Sequence, residues 1–317
     1  MTESLRALVT GGAGFIGGHL VEALVGRGHG VVVLDDLSGV SSESLNSRFS
    51  SDVRVVRGDV CDRQVVAEAV KDVDAVFHLA AVTSVPFSVA NPLFTSRVNV
   101  DGTVNVLDAC ARFGVRRFVF ASSCAVYGEA EYLPVDEGHR VCPVSPYARS
   151  KLEAERSCLA FDRSRGVNSV VLRLFNVFGP GQRGGQYSGV ISRFAERVRA
   201  GLSPVVFGDG LQTRDFVYVG DVVRACLLAL DCEGLGGGVF NVGSGVSTSV
   251  RDLAHVVGEV FGGGCVEPVF EGARVGDLRF SCADVGRARS FLGYEPRVGL
   301  REGLAMLLKN GAGVFGQ

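Results

Sequence analysis

Tyr147 and Lys151 stand four residues apart, downstream of a serine pair at Ser122 and Ser123. Ser145 and Pro146 just before them have the chemistry of a helix N-cap and a first helical position. The four-residue step then predicts that phenol and ammonium share one helix face. An ammonium beside a phenol favours the phenolate and lowers a pKa that is ordinarily about 10. A phenol poised in this way takes a proton from a hydroxyl near neutral pH. Oxidising an alcohol also needs a hydride acceptor, and the N-terminal stretch has the composition to hold one.

Thr10-Gly11-Gly12-Ala13-Gly14-Phe15-Ile16-Gly17 follows an apolar run and opens a helical pattern. Gly12, Gly14 and Gly17 fit GxGxxG, and Gly11, Gly14 and Gly17 fit GxxGxxG. Glycines there permit a tight turn and close approach of a pyrophosphate, which a helix N-terminus favours through its amides and dipole. In a chain with 43 glycines the motif gains weight from Asp35, which ends the second apolar run 18 residues after Gly17. A carboxylate there accepts from the ribose hydroxyls of an adenosine and repels a 2′-phosphate, so the expected cofactor is NAD rather than NADP. Asp59, after the third apolar run, suits an adenine amine. His78-Leu79-Ala80-Ala81 ends the fourth run, where small residues let backbone pass close to a cofactor. His78 itself reads as a packed histidine.

The elements that must carry these residues alternate in type. Strand-like runs at Arg6 to Thr10, Gly30 to Asp35, Val53 to Arg57, Ala75 to Leu79, Arg117 to Ser122 and Ser169 to Leu174 are separated by helical stretches. This alternation predicts an α/β fold: a doubly wound parallel (Rossmann) sheet with a smaller C-terminal α/β substrate lobe. The expected division is residues 1–175 for the dinucleotide-binding domain, with 215–240 returning to it, and 176–317 for the second lobe. Ser38 to Ser51 reads as a surface loop or short helix and Gly179 to Gly189 as a loop, with Val190 to Arg199 and Val219 to Leu230 as helices and Pro204 to Phe207 as a strand. From Ala305 onward periodicity is lost and fraying is expected.

Composition narrows the class. The 317 residues carry a formal net charge of -2, which gives no bulk attraction to nucleic acid or anionic membrane. The chain is 47% hydrophobic, yet no apolar run approaches the ~20 residues of a membrane span. No secretory signal is read in the first residues, so a soluble cytoplasmic protein is expected. The nine cysteines form no CxxC pair and read as buried small hydrophobes. The five histidines lack metal-ligand spacing, so no metal is expected.

Taken together, GGAGFIG, LDDLS, GDV, HLAA, SSCAVYG, SPYARSK, LRLFNVFGPG, RDFVYVGD and RVGDLRFSCAD resemble the extended short-chain dehydrogenase/reductase family, and within it the nucleotide-sugar 4-epimerases. The resemblance covers nearly the whole chain. It implies that Tyr147 is the catalytic base, Lys151 its partner on the nicotinamide ribose, and Ser123 the hydroxyl that bonds the sugar oxygen, with Ser122 the adjacent alternative. For NAD it implies contacts from Gly11, Gly14, Phe15, Ile16 and Gly17 in the loop, and from Asp35, Asp36, Leu37 and Ser38 after the second strand. Asp59, Val60, Leu79, Ala80, Ala81, Thr83, Asn99 and Phe175 complete that set, with Tyr147 and Lys151. For a UDP-sugar it implies Asn176 near the diphosphate, Phe207 near the uracil, Arg214 and Arg274 on phosphates and Asp277 on a ribose, with Val190, Ser123 and Tyr147 beside the sugar. The forked, permanently charged guanidinium suits the phosphate task.

Departures from the pattern narrow the reaction. Relatives that dehydrate dTDP-glucose carry an acidic pair where this chain has Cys124-Ala125, so dehydration is not expected. The acid characteristic of UDP-glucuronate decarboxylases is not evident in Val82-Thr83-Ser84-Val85-Pro86. Ser281, four residues after Asp277, falls where family members line the sugar's 2-position. A small residue there implies room for an N-acetyl group, so both plain and N-acetylated UDP-hexoses are expected to fit. The helices near Pro92 to Arg112 and Pro146 to Arg163 resemble a pair that forms a dimer contact in relatives and imply a homodimer. The alternatives are another nucleotide-sugar epimerase, a decarboxylase or 4,6-dehydratase, and a non-enzymatic NAD-binding regulator.

Overall fold

The structure is a computed structural model and describes residues 4–39, 49, 53–182, 189–232, 234–262, 264, 266–273 and 278–309. Its strands are β1 (Arg6–Thr10), β2 (Gly30–Asp35), β3 (Val53–Arg57), β4 (Ala75–His78), β5 (Arg117–Ser123), β6 (Ser169–Leu174), β7 (Asn176–Phe178), β8 (Val205–Phe207), β9 (Thr213–Tyr218), β10 (Gly238–Val242), β11 (Ser247–Ser249) and β12 (Val269–Glu271). The helices are α1 (Phe15–Gly26), α2 (Arg63–Val70), α3 (Val85–Ala90), α4 (Pro92–Ser96), α5 (Gly102–Phe113), α6 (Pro146–Arg165), α7 (Val190–Arg199), α8 (Val219–Asp231), α9 (Val250–Gly262), α10 (Gly286–Leu292) and α11 (Leu300–Lys309). A single wide π-helical turn, Arg97–Asp101, links α4 to α5.

Seven strands form one sheet in the order β10-β6-β5-β4-β1-β2-β3. β1 pairs in parallel with both β2 and β4, and β2 with β3 and β4 with β5 run the same way. The chain builds outward from β1 to β3, then restarts at β4 on the other side of β1. The strand order therefore reverses between β1 and β4, the place where open α/β sheets bind ligands at their carboxyl ends. Sequence explains the burial: β1, β2, β4 and β6 are short runs of Val, Leu, Ala and Phe that helices cover on both faces. Leu8, Val32, Val76, Phe118, Phe120 and Val171 pack with Val66, Val106, Leu107 and Cys158 from α2, α5 and α6 in one core.

Two compact units emerge. The first comprises residues 1–126, 143–173 and 223–240, and the second 127–142, 174–222 and 241–317. The second holds a three-stranded sheet, β11-β9-β7, and a two-stranded one, β12-β8. Phe178, Ile191, Phe194, Phe216, Leu253, Val257, Leu304 and Leu307 make its own core.

The expected loss of order after Ala305 is corrected as far as Lys309, because α11 runs on to that residue with Leu304 and Leu307 buried. Most of the loop read at Ser38 to Ser51 and the middle of the loop at Gly179 to Gly189 lie outside the described residues. Among those residues no helix is long and apolar enough to cross a membrane, and no cluster of His, Cys, Asp or Glu is placed to hold a metal ion.

Candidate active site

The glycine loop sits between β1 and α1, at the carboxyl end of the sheet. Gly11 has φ +69, and its amide donates to Leu34 O at 2.8 Å. A Cβ there would lie 2.8 Å from the Ala80 nitrogen, and one on Gly17 would lie 2.1 Å from Gly11 O. Only glycine lets the loop fold this tightly against β4 and the first turn of α1. Gly14 is the N-cap; no side chain caps the helix and no acid stands in its first turn. The first-turn amides and the positive dipole end thus face an anion site without a competing carboxylate.

Asp35 ends β2 beside that loop. Its Oδ2 accepts from the Ala13 amide at 3.0 Å and its Oδ1 from the Leu37 amide at 2.9 Å. The second bond fastens Leu37 in the left-handed region at φ 62. A carboxylate offers about four acceptor positions, which suits an acid that meets both loop amides and ribose hydroxyls. Asp36 Oδ1 accepts from both the amide and hydroxyl of Ser38. The loop, the uncapped helix and the acid are the donor and acceptor set that a dinucleotide needs, so the residues fit NAD.

At the neighbouring strand ends, Asp59 is exposed and accepts from the Cys61 amide at 2.9 Å. Val60 is buried under Gly102. His78 is fully buried between Thr10 (2.7 Å) and Thr103 (3.0 Å), as a packed histidine should be, and burial drives its pKa down to about 3. Leu79, Ala80 and Ala81 are half-buried, and Thr83 is exposed. Asn99 is buried, and its carboxamide accepts from Val82 N (2.8 Å) and donates to Val82 O (3.0 Å) and Ser150 Oγ (2.9 Å). Its geometry is that of a brace tying the segment after β4 to α6.

The helix start read from Ser145-Pro146 is present: Ser145 Oγ accepts from the Ala148 amide at 3.1 Å and Pro146 opens α6. Tyr147 and Lys151 follow on the first turns, next to the end of β5. Burial pushes the Tyr147 phenol up to about 12, and the Ser123 side chain beside it draws it down against that. The ammonium expected to poise the phenol is directed elsewhere. Lys151 Nζ donates to Ala121 O at 2.8 Å and lies 4.9 Å from the Phe120 ring centroid. Burial brings the Lys151 pKa down to about 8, opposed by Cys158 and then Glu155. The expected lowering of the phenol's pKa by the ammonium is therefore corrected: the four-residue spacing brings the two residues to one helix face, while the lysine stem reaches the backbone of β5.

Glu155 escapes the motif reading, and so does its pairing with Ser122 of SSCAVYG and Arg173 of LRLFNVFGPG. Glu155, one turn beyond Lys151, accepts from Ser122 Oγ through Oε1. Arg173 of β6 grips the same carboxylate, with Nε 3.0 Å from Oε1 and Nη2 2.8 Å from Oε2. Ser122, Glu155 and Arg173 are all buried. An arginine inside the apolar run SVVLRL was the available signal, since a buried guanidinium requires a buried acid.

In the second unit, Phe175 is buried and its amide bonds Val242 O at 3.0 Å. Asn176 opens β7 opposite Phe216, and Val190 opens α7. Phe207 ends β8 with its carbonyl held by Gln212 Nε2 at 2.8 Å. Arg214 is half-buried on β9 and donates to Thr213 O. Ser281 is half-buried just after a strap within RVGDLRFSCAD whose anchors the motif did not give. Glu129 accepts from the amides of Arg279 (2.7 Å) and Phe280 (3.2 Å), while Arg279 forks onto Asp209 at 2.8 and 2.7 Å. That fork holds the Asp209 carboxyl down to about 2. Arg274 and Asp277 lie outside the described residues.

This geometry defines a dinucleotide-binding α/β protein with a serine, a tyrosine and a lysine gathered at the carboxyl end of its sheet. Residues 7–243 match the NAD dependent epimerase/dehydratase family, and the chain belongs to that family, with NAD as its cofactor. A UDP-glucose 4-epimerase of Mycolicibacterium smegmatis is 43% identical over 95% of this chain and 96% of its own. The solved UDP-N-acetylglucosamine 4-epimerase of Methanobrevibacter ruminantium, bound to UDP-N-acetylmuramic acid, superposes with TM-score 0.92 at 35% identity, covering 98% of this chain and 99% of that one. The UDP-glucose 4-epimerase of Thermus thermophilus, solved with NAD, gives 0.87 at 38% identity over 98% and 99%. Relatives named as decarboxylases and as a dTDP-glucose 4,6-dehydratase match at 33–35% identity.

Proposed function

We propose that the protein is a UDP-hexose 4-epimerase that interconverts UDP-glucose with UDP-galactose and UDP-N-acetylglucosamine with UDP-N-acetylgalactosamine. The observation that carries this reading is Tyr147 set against the Ser123 side chain at the end of β5, with Lys151 one turn further on α6 and with Cys124 and Ala125 where dehydration would need an acid and a base. When bound, NAD supplies both the hydride acceptor and the hydride donor, so the reaction has no net redox change.

The chain's own residues supply the rest. The glycine loop and Asp35 hold the pyrophosphate and adenosine ribose. Ser123 orients the sugar's 4-oxygen toward Tyr147. The Tyr147 oxygen accepts the hydroxyl proton and later returns it. Phe207, Arg214, Arg274 and Asp277 hold the UDP, and Ser281 leaves room at the sugar's 2-position. The exposed apolar residues Val89, Leu93 and Phe94 on α3 and α4 support a homodimer through these helices and α6, in a cytoplasmic protein.

The test is incubation of the purified protein with each of the four UDP-sugars, without reductant, and chromatographic separation of products. Interconversion within both pairs is expected. Conversion of the plain pair alone rejects the pocket argument. A keto sugar or a pentose as product rejects the epimerase reading in favour of dehydration or decarboxylation.

A further inference from the structure

We infer that Arg279 is a positioning residue for the nucleotide-sugar: it ties together the segments of the second unit that carry Phe207, Arg214 and Ser281. The inference rests on the reading of those residues as substrate contacts. Arg279 reaches each segment by a different group. Its Nη1 and Nη2 donate to the two oxygens of Asp209 at 2.8 and 2.7 Å, in the turn after Phe207. Its carbonyl accepts from the Thr213 amide at 2.9 Å, next to Arg214. Its amide donates to Glu129 at 2.7 Å, and the same carboxylate takes the Phe280 amide at 3.2 Å, next to Ser281.

The partners are themselves held, so a displacement at Arg279 is passed on rather than absorbed. Asp209 Oδ1 also accepts from the Leu211 amide at 2.9 Å. The Gly208 amide of that turn bonds Glu271 O of β12 at 2.9 Å, and Gly210 O accepts from the Arg251 amide of α9 at 3.0 Å. Beyond Ser281 the strap is pinned again. The Val135 amide donates to Cys282 O at 2.8 Å, and the Ala283 amide donates to the buried Asp215 at 3.0 Å. Ser281 is thus spanned on both sides, and the Arg279 fork sets the first side against the turn after Phe207. Both partners of the fork are exposed, so it contributes little to stability. Its two-point planar contact fixes an angle as well as a distance, which a lysine does not do. The rival role for a cation here is direct contact with a phosphate, and the two roles predict opposite effects of removing the Asp209 charge.

The test is calorimetric titration of the full chain with UDP, in wild type and in Arg279→Met, Arg279→Lys, Asp209→Asn and the Arg279→Met, Asp209→Asn pair. Each single variant is expected to bind UDP about tenfold more weakly, because binding must then order the strap. Arg279→Lys should lose as much as Arg279→Met, since it keeps the charge without the fork. The double variant should bind no more weakly than either single one, because the fork acts as one unit. On UDP-galactose, KM should rise about tenfold while kcat stays within a factor of about two. Arg289→Met breaks the exposed Arg289–Glu295 pair (3.1 Å) of the same unit and is the control for stability alone, with UDP affinity unchanged. Wild-type UDP affinity in Arg279→Met overturns the inference. So does Asp209→Asn protein that binds UDP as tightly as wild type or more tightly, which makes Arg279 a direct phosphate ligand. Wild type that binds UDP, with the expected losses in the variants, but converts no UDP-sugar refutes the epimerase reading and supports this inference. Wild type that does not bind UDP refutes the substrate contacts and the inference with them.

Discussion

Replacing glycine by alanine at the two ends of α1 should have opposite outcomes. At Gly17 the new Cβ would lie 2.1 Å from Gly11 O, 2.8 Å from Gly12 Cα and 2.9 Å from the Gly11 carbonyl carbon. All three are backbone atoms. They are held by the Gly11 bond to Leu34 (2.8 Å) and by the Gly14 bond to Gly11 (3.1 Å), so the loop has to move as a piece. Overpacking ordinarily costs about 1–3 kcal/mol, and a contact this short against fixed backbone belongs at the upper end. At Gly26, in the last turn, no atom lies within 4 Å of the new Cβ. There alanine's helix propensity gives a gain of up to about 1 kcal/mol. For a chain of this size each kcal/mol moves the melting temperature by about 2 °C. Gly17→Ala should therefore melt about 6 °C below wild type, and Gly26→Ala at or slightly above it. Calorimetric titration with NAD should show affinity falling at least about tenfold for Gly17→Ala, about 1.4 kcal/mol, and unchanged for Gly26→Ala. Equal melting temperatures for the two variants, together with wild-type NAD affinity at Gly17→Ala, would refute the argument that the loop is fixed by this close approach.

Three further expectations follow from individual side chains. Asp35→Asn leaves one acceptor oxygen for the two amides of Ala13 and Leu37, so NAD should bind about tenfold more weakly and the preference over NADP should narrow; paired titrations with both cofactors check this. Tyr147→Phe should lower epimerase turnover by about 10²–10⁴ while the melting curve stays within error of wild type, and near-normal turnover removes Tyr147 from the mechanism. Ser281→Tyr should cut kcat/KM for the N-acetylated pair at least about tenfold against the plain pair; an unchanged ratio sinks the pocket argument.

The first unit was readable to the residue in several places because its information is local. The runs RALVT, GVVVLD, VRVVR and SVVLRL are short, rich in valine and leucine and bounded by turn or cap residues, and the strands begin and end where those runs do. The helix carrying Tyr147 announces itself through Ser145 and Pro146, whose preferences act within one turn. What spacing could not reveal was direction. A four-carbon lysine stem reaches several partners from one helix position, and here the carbonyl of Ala121, thirty residues away in the chain, accepts its hydrogen bond. Burial, which sets the Tyr147 and Lys151 pKa values, is likewise a property of the assembled sheet and helix.

The substrate side depends still more on distant partners. Ser281 reads as a small residue in a family motif, but the backbone before it is held by Glu129, 150 and 151 positions away from Arg279 and Phe280. Glu129 sits in the segment 127–142, which joins the second unit through Tyr127 to Asn241 and Asn241 to Val135. Position 281 can therefore lose its setting through a change at Glu129 that leaves every motif intact. The exposed Arg279–Asp209 fork contributes little to stability by itself. Its importance is geometric, because it ties the backbone before Ser281 to the turn after Phe207. On the proposed reading, the size of the residue at 281 and the anchoring of the strap that carries it would act separately on which sugars fit, and only the first is written locally in the sequence.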